Sequence, residues 1–227
     1  VTIPPFYYPT HSVSMITSVT GAHAVKVSGM GVRHQLAAGE VDFTKIPDRI
    51  YPNDFWNEIM LCQMSDGSTA RFIEARRIGY AHRPGSVGMS LYGSEGSFEQ
   101  QIAVPDPARG RGGHSCVWSG KNAVQDLTEQ LTCSSASPRE AAAKAAAAQA
   151  GLGAEAFTNL SPVHPAHLLP REYIGLRNGH EGSHQFLMHD FITACATRKQ
   201  PANNVWQAAR YLLPGLLAHE SALRGGE

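Results

Sequence analysis

Short apolar runs broken by turn-forming residues fill the first half of the chain. Longer helical periods fill the second. Five runs read as strands: Ala24 to Val32, Phe55 to Gln63, Ala70 to Tyr80, Gly88 to Tyr92 and Phe98 to Val104. Each is bounded by Gly, Pro, Asn or Asp clusters, as strands in a sheet usually are. Trp56, Ile59 and Leu61 alternate imperfectly with polar neighbours, which fits a sheet buried on one face. Ahead of them, Pro4 and Pro5 hold the entry extended. Pro9 suits the first residue of a helix from Thr10 to Val19, which Gly21 closes. Residues 105–114 (PDPARGRGGH) are turn formers and read as an exposed loop.

Three helices are predicted in the second half. Over Ser137 to Gly151, Ser137 and Glu140 form a capping box, Pro138 takes the first helical position, and Gly151 follows the end. Its alanine-rich body has high propensity but little apolar bulk, which suits a surface helix. The other two run from about Ser183 to Arg198 and from about Asn204 to Leu223. In the last, Val205, Ala209, Leu212, Leu213 and Leu216 make an apolar stripe, with a kink expected at Pro214. The order helix, strands, helices predicts an α+β fold: a mainly antiparallel, open-faced sheet with helices on one face.

Composition narrows the function. Nineteen Lys plus Arg balance nineteen Asp plus Glu, so the 227-residue chain has no basic excess for a nucleic-acid partner. Charged residues are 17% and hydrophobics 42%, values that suit a folded core rather than a disordered tail. No apolar run approaches ~18 residues, so no membrane span is expected; the expected location is the cytoplasm, with an exported form as the alternative. Cys62, Cys116, Cys133 and Cys195 include no CxxC pair, and isolated cysteines usually behave as small buried hydrophobes.

Candidate chemistry is sparse. Gly29-Met30-Gly31 lacks the third glycine of a dinucleotide fingerprint and lies inside a strand pattern, so no cofactor-binding residue is expected in this chain. His180-Glu181-Gly182-Ser183-His184 satisfies H-E-x-x-H, but Gly179 and Gly182 weaken the helix that zinc binding needs. No metal site is expected there. The most informative stretch is Tyr7-Tyr8-Pro9-Thr10-His11-Ser12. Tyr8 and His11 stand three apart at a helix start, so their side chains can point the same way. A phenol beside an imidazole can hydrogen-bond a sugar hydroxyl and move its proton. The structural alternative has Tyr8 packing a core edge and His11 capping its helix.

PPFYYPTHS, then SVTG, YGSEGSFE, NGHEGSHQFLMHDF and AARYLLPGLLAHESALRGGE, resembles the C-terminal domain of the Gfo/Idh/MocA oxidoreductases. The likeness runs from Pro4 to Gly226. It implies a substrate-binding and dimerising domain over residues 1–227, with NAD or NADP held mainly by an N-terminal Rossmann domain that these residues do not contain. The Tyr-Pro-Thr-His motif resembles that of the NAD-dependent glycoside hydrolases of the α-N-acetylgalactosaminidase type. By that likeness Tyr8 and His11 form the catalytic pair, while Tyr7, His180 and His184 contact the substrate. The implied substrate is a sugar or glycoside, acted on by oxidation alone or by an oxidation, elimination, hydration and reduction cycle. A homodimer or higher homo-oligomer is implied, with Ile59, Leu61 and Ile73 as candidates for its sheet face. A non-catalytic carbohydrate-binding or scaffold module is the alternative.

Overall fold

The computed structural model describes residues 3–33, 53, 55–75, 88–102, 114–131, 170 and 183–227. In chain order the elements are a 3-10 turn Pro5–Tyr7, α1 Thr10–Thr20, β1 Ala24–Val32, β2 Asn57–Met64, β3 Thr69–Ala75, β4 Ser90–Tyr92, β5 Gly96–Ile102, β6 His114–Gly120, β7 Val124–Asp126, α2 Thr128–Leu131, α3 Ser183–Thr197 and α4 Val205–Leu223. The fold is α+β and its strand pairs are antiparallel, as expected. They form two sheets, ordered β1-β2-β3 and β4-β5-β6-β7. Two compact units contain them, one from Val1–His82 with Ala202–Glu227 and one from Arg83–Pro201.

In the first unit, α1 begins immediately after Pro9 and ends at Gly21, whose φ of 74° is the left-handed conformation that terminates helices. β1 spans the residues that the pattern predicts. On β2 the side chains alternate strictly: Glu58, Met60, Cys62 and Met64 are buried, whereas Ile59, Leu61 and Gln63 are exposed. β3 continues the alternation with Phe72 and Glu74 buried. The inner face packs on α1, α4 and the 3-10 turn around Phe6, Val13, Met60, Met64, Phe72 and Ala218. Thus the helices of this unit cover one face. Ile59 and Leu61 mark the outward side of β2, whereas Trp56 precedes the strand and is half-buried, which is why the alternation read from the sequence is imperfect.

The buried stripe of α4 differs from the predicted one. Val205, Leu212 and Leu213 are exposed, and the buried face is Pro214, Gly215, Ala218, His219, Ser221 and Ala222. Close approach explains this choice. A side chain at Gly29 of β1 would collide with the Ala218 carbonyl, and one at Gly215 would collide with the Phe6 carbonyl and approach Pro9 Cγ to 2.6 Å. Small residues let the helix backbone lie against the strand, and longer ones would hold it away. Ser221 Oγ then accepts the Gly29 N–H at 3.0 Å, satisfying a donor on the sheet edge. α4 continues through Pro214 and starts at Asn204, whose side chain accepts the N–H groups of Trp206 and Gln207.

In the second unit, β5 pairs with β4 and β6, and β6 with β7. The sequence reading ends its strands at Val104 and places no strand over β6 or β7. α3 begins at Ser183 as predicted. The predicted helix over Ser137 to Gly151 lies outside the described residues, as does most of the 105–114 loop.

Candidate functional site

Prolines shape the segment that carries the candidate pair. Pro4, Pro5 and Pro9 are buried, and between them the chain makes one tight turn: Tyr7 N–H donates to the Pro4 carbonyl and Tyr8 N–H to the Pro5 carbonyl. Pro9 then accepts the N–H groups of Ser12 and Val13 through its carbonyl, starting α1. Proline fixes φ at each of these points, so the turn and the helix start hold one geometry.

Tyr8 and His11 emerge together. Their ring centroids lie 5.2 Å apart at a tilt of 48°, and Tyr8 is 49% exposed. His11 is exposed beside it. The two rings thus stand side by side, as the three-residue spacing predicts. Tyr7 points elsewhere. It is half-buried and meets the His219 ring edge-on, with centroids 5.1 Å apart at 77°.

Below the turn lies a buried network that the sequence reading misses. Glu58 of β2 and His219 of α4 are both 0% exposed, with Oε1 and Nδ1 2.7 Å apart. Phe6 N–H donates to Glu58 Oε2 at 2.9 Å. On the neighbouring strand, buried Glu74 accepts the Ser12 hydroxyl through Oε1 at 2.6 Å. The signal available in the sequence was a glutamate at an inward position of a strand. Its significance depends on a partner 161 residues away.

The remaining candidates divide. His184 is on α3, in the second unit, and is exposed. His180 lies outside the described residues. Among the described residues no cluster of three His, Cys, Asp or Glu could hold a metal. Cys62 and Cys116 are buried, as isolated cysteines usually are, but Cys195 is exposed. Its place on the outer surface of α3 overrides its apolar character. Burial pushes the Cys62 thiol up to about 11, so it offers no thiolate near neutral pH.

The described residues do not fit a dinucleotide. Gly29 and Gly31 leave no cradle, because the Ala218 carbonyl and the Phe55 ring occupy the space beside them. The start of α4 is capped by its own Asn204. No helix among the described residues is long and apolar enough to cross a membrane.

No protein-family profile matches the chain. No curated protein matches it either. Solved structures do. An oxidoreductase from Agrobacterium radiobacter in complex with NAD+, L-tartaric acid and magnesium matches with a TM-score of 0.50 at 10% identity, over 94% of this chain and 45% of that one. An inositol dehydrogenase homologue from Azotobacter vinelandii, complexed with NADH and myo-inositol, matches with a TM-score of 0.50 at 14% identity, over 97% of this chain and 48% of that one. The chain therefore spans about half the length of each. At such identities the likeness establishes the fold: this chain has the α+β architecture of a region within those oxidoreductases.

Proposed function

We propose that this chain is the substrate-binding and dimerising domain of an NAD(P)-dependent oxidoreductase of the Gfo/Idh/MocA type, acting on a sugar, a polyol or a glycoside. The observation that carries the reading is the exposed Tyr8–His11 pair, 5.2 Å between centroids, on a proline-braced helix start. Its support from outside the chain is the shared fold with oxidoreductases whose complexes contain myo-inositol or tartaric acid, both rich in hydroxyl groups. NAD(P), which supplies hydride chemistry when bound, is assigned to an upstream dinucleotide domain, because the described residues do not fit it.

The chain's own part is proton and hydroxyl chemistry. Tyr8 Oη orients a substrate hydroxyl, and His11 accepts its proton as the carbon is oxidised. Substrate contact by Tyr7, His180 and His184 rests on the family resemblance alone. The same base could take a proton made acidic by a neighbouring ketone, so glycoside cleavage and plain oxidation share these residues. The dimer is assigned to the outward face of the β1–β2–β3 sheet.

The test is incubation of the full-length protein with a panel of polyols, sugars and glycosides plus NAD+ or NADP+. Net oxidation accumulates reduced nicotinamide, whereas cleavage releases the aglycone without it. Binding of a sugar without turnover of any panel member would replace this reading with the non-catalytic one.

A further inference from the structure

Two inner-face glutamates are not used by the proposed chemistry. Glu58 and Glu74 lie directly opposite each other in the β2–β3 register, and both are buried. Like charges opposite each other on a sheet repel. A buried carboxylate also destabilises the fold unless donors meet its oxygens. The donors here come from a single segment and its support. Glu58 Oε2 accepts Phe6 N–H at 2.9 Å, and Glu74 Oε1 accepts the Ser12 hydroxyl at 2.6 Å. Phe6 and Ser12 bracket Tyr8 and His11 in the chain. Glu58 Oε1 shares a hydrogen with His219 Nδ1 at 2.7 Å, and the His219 ring stands edge-on to Tyr7 at 5.1 Å and to Phe55 at 5.9 Å. An apolar side chain at position 58 would occupy the same inward position with no desolvation cost, so packing alone does not account for a glutamate there.

We propose that Glu58, held by His219, is a positioning residue that locks the 3-10 turn and so sets where Tyr8 and His11 stand. Glu74 secures the other end of the segment through Ser12. Neither glutamate touches substrate; each acts through the backbone or hydroxyl it holds. The proposal deepens the functional reading above and rests on it for its kinetic consequence.

The test uses the full-length protein with ¹³C-labelled histidine and tyrosine, following the His11 and Tyr8 ring resonances beside kcat and KM. The variants are Glu58→Gln, Glu58→Leu, His219→Asn and His219→Leu. Cys62→Ala serves as the control, because it removes volume from the same face of β2 without removing a hydrogen bond to the turn. Glu58→Leu and His219→Leu are expected to displace both sets of resonances and to lower kcat by about 10–10²-fold, the penalty of small misplacements, with KM little changed. Glu58→Gln should displace the resonances less. His219→Asn keeps a donor near the Nδ1 position and should restore most of both readouts. Should Glu58→Leu fail to fold, the near-isosteric Glu58→Gln decides alone. Unmoved resonances in the Glu58 variants, or equal displacement in Cys62→Ala, would overturn the proposal. Displaced resonances in the Glu58 variants, together with undiminished turnover in His11→Ala and Tyr8→Phe, would keep the positioning role and remove the catalytic assignment.

Discussion

The two faces of the β1–β2–β3 sheet both depart from a simple apolar-inside, polar-outside division. The inner face carries two buried glutamates and receives a buried histidine from α4. The outer face carries Met30, Ile59 and Ile73 in one cross-strand row, with Leu61 beside them, all exposed; Met30 is 67% and Leu61 62% exposed. Exposed apolar residues are ordinary singly, and this contiguous row is the face to which the proposed dimer is assigned. Polar groups inside a core are uncommon unless hydrogen-bonded, and these hold the segment that carries Tyr8 and His11. The contrast teaches that residue parity gives one strand two different faces: even positions of β2 are buried under the Tyr8–His11 segment, and odd positions face outward.

The largest expected effect lies above the inner face. In the full-length protein, His11→Ala should reduce turnover by about 10²–10⁴-fold, the usual range for a general base. Tyr8→Phe should also slow the reaction while leaving the thermal midpoint nearly unchanged, since ring volume is kept. Turnover and melting measured on both variants check this; near-wild-type rates would leave the inner face a purely structural device.

Next in size is the contact that brings α4 under the turn. Gly215→Val places a side chain against the Phe6 carbonyl and Pro9, so the turn or the helix must shift. Overpacking of this kind costs about 1–3 kcal/mol. Chemical denaturation measures the loss, and an unchanged midpoint would mean that the turn yields freely.

Substitutions on the outer face should leave the fold and break the assembly. Ile59→Lys with Leu61→Lys alters exposed positions, where changes usually stay within about 0.5 kcal/mol. A homodimer buried through this face should exceed about 1,000 Å² in total, and two lysines at its centre should dissociate it. Sedimentation reads the mass directly. A variant that keeps the wild-type mass would move the interface elsewhere.

The smallest effect has the opposite sign. Thr17 Oγ1 is a buried hydroxyl with no hydrogen-bond partner. Thr17→Val keeps the shape and removes the unsatisfied group, and should raise stability by up to about 1 kcal/mol. A loss of stability would show that the hydroxyl is satisfied in solution.

The sequence by itself determined what local chemistry controls. Pro9 and Gly21 mark the limits of α1, and Asn204 announces α4. The β1 run was legible because glycine and polar residues interrupt the apolar pattern on both sides. The spacing of Tyr8 and His11 was enough to place them side by side, since a helix start sets that geometry within three residues. Tertiary structure decided the rest. β6 and β7 escaped because HSCVWSG and VQD carry little strand signal until a neighbouring strand pairs with them. The buried face of α4 was chosen by close approach at Gly29 and Gly215 rather than by its leucines. Glu58 and His219 became a pair only when β2 and α4 met, and a side chain's burial depends on that meeting, which no local pattern encodes.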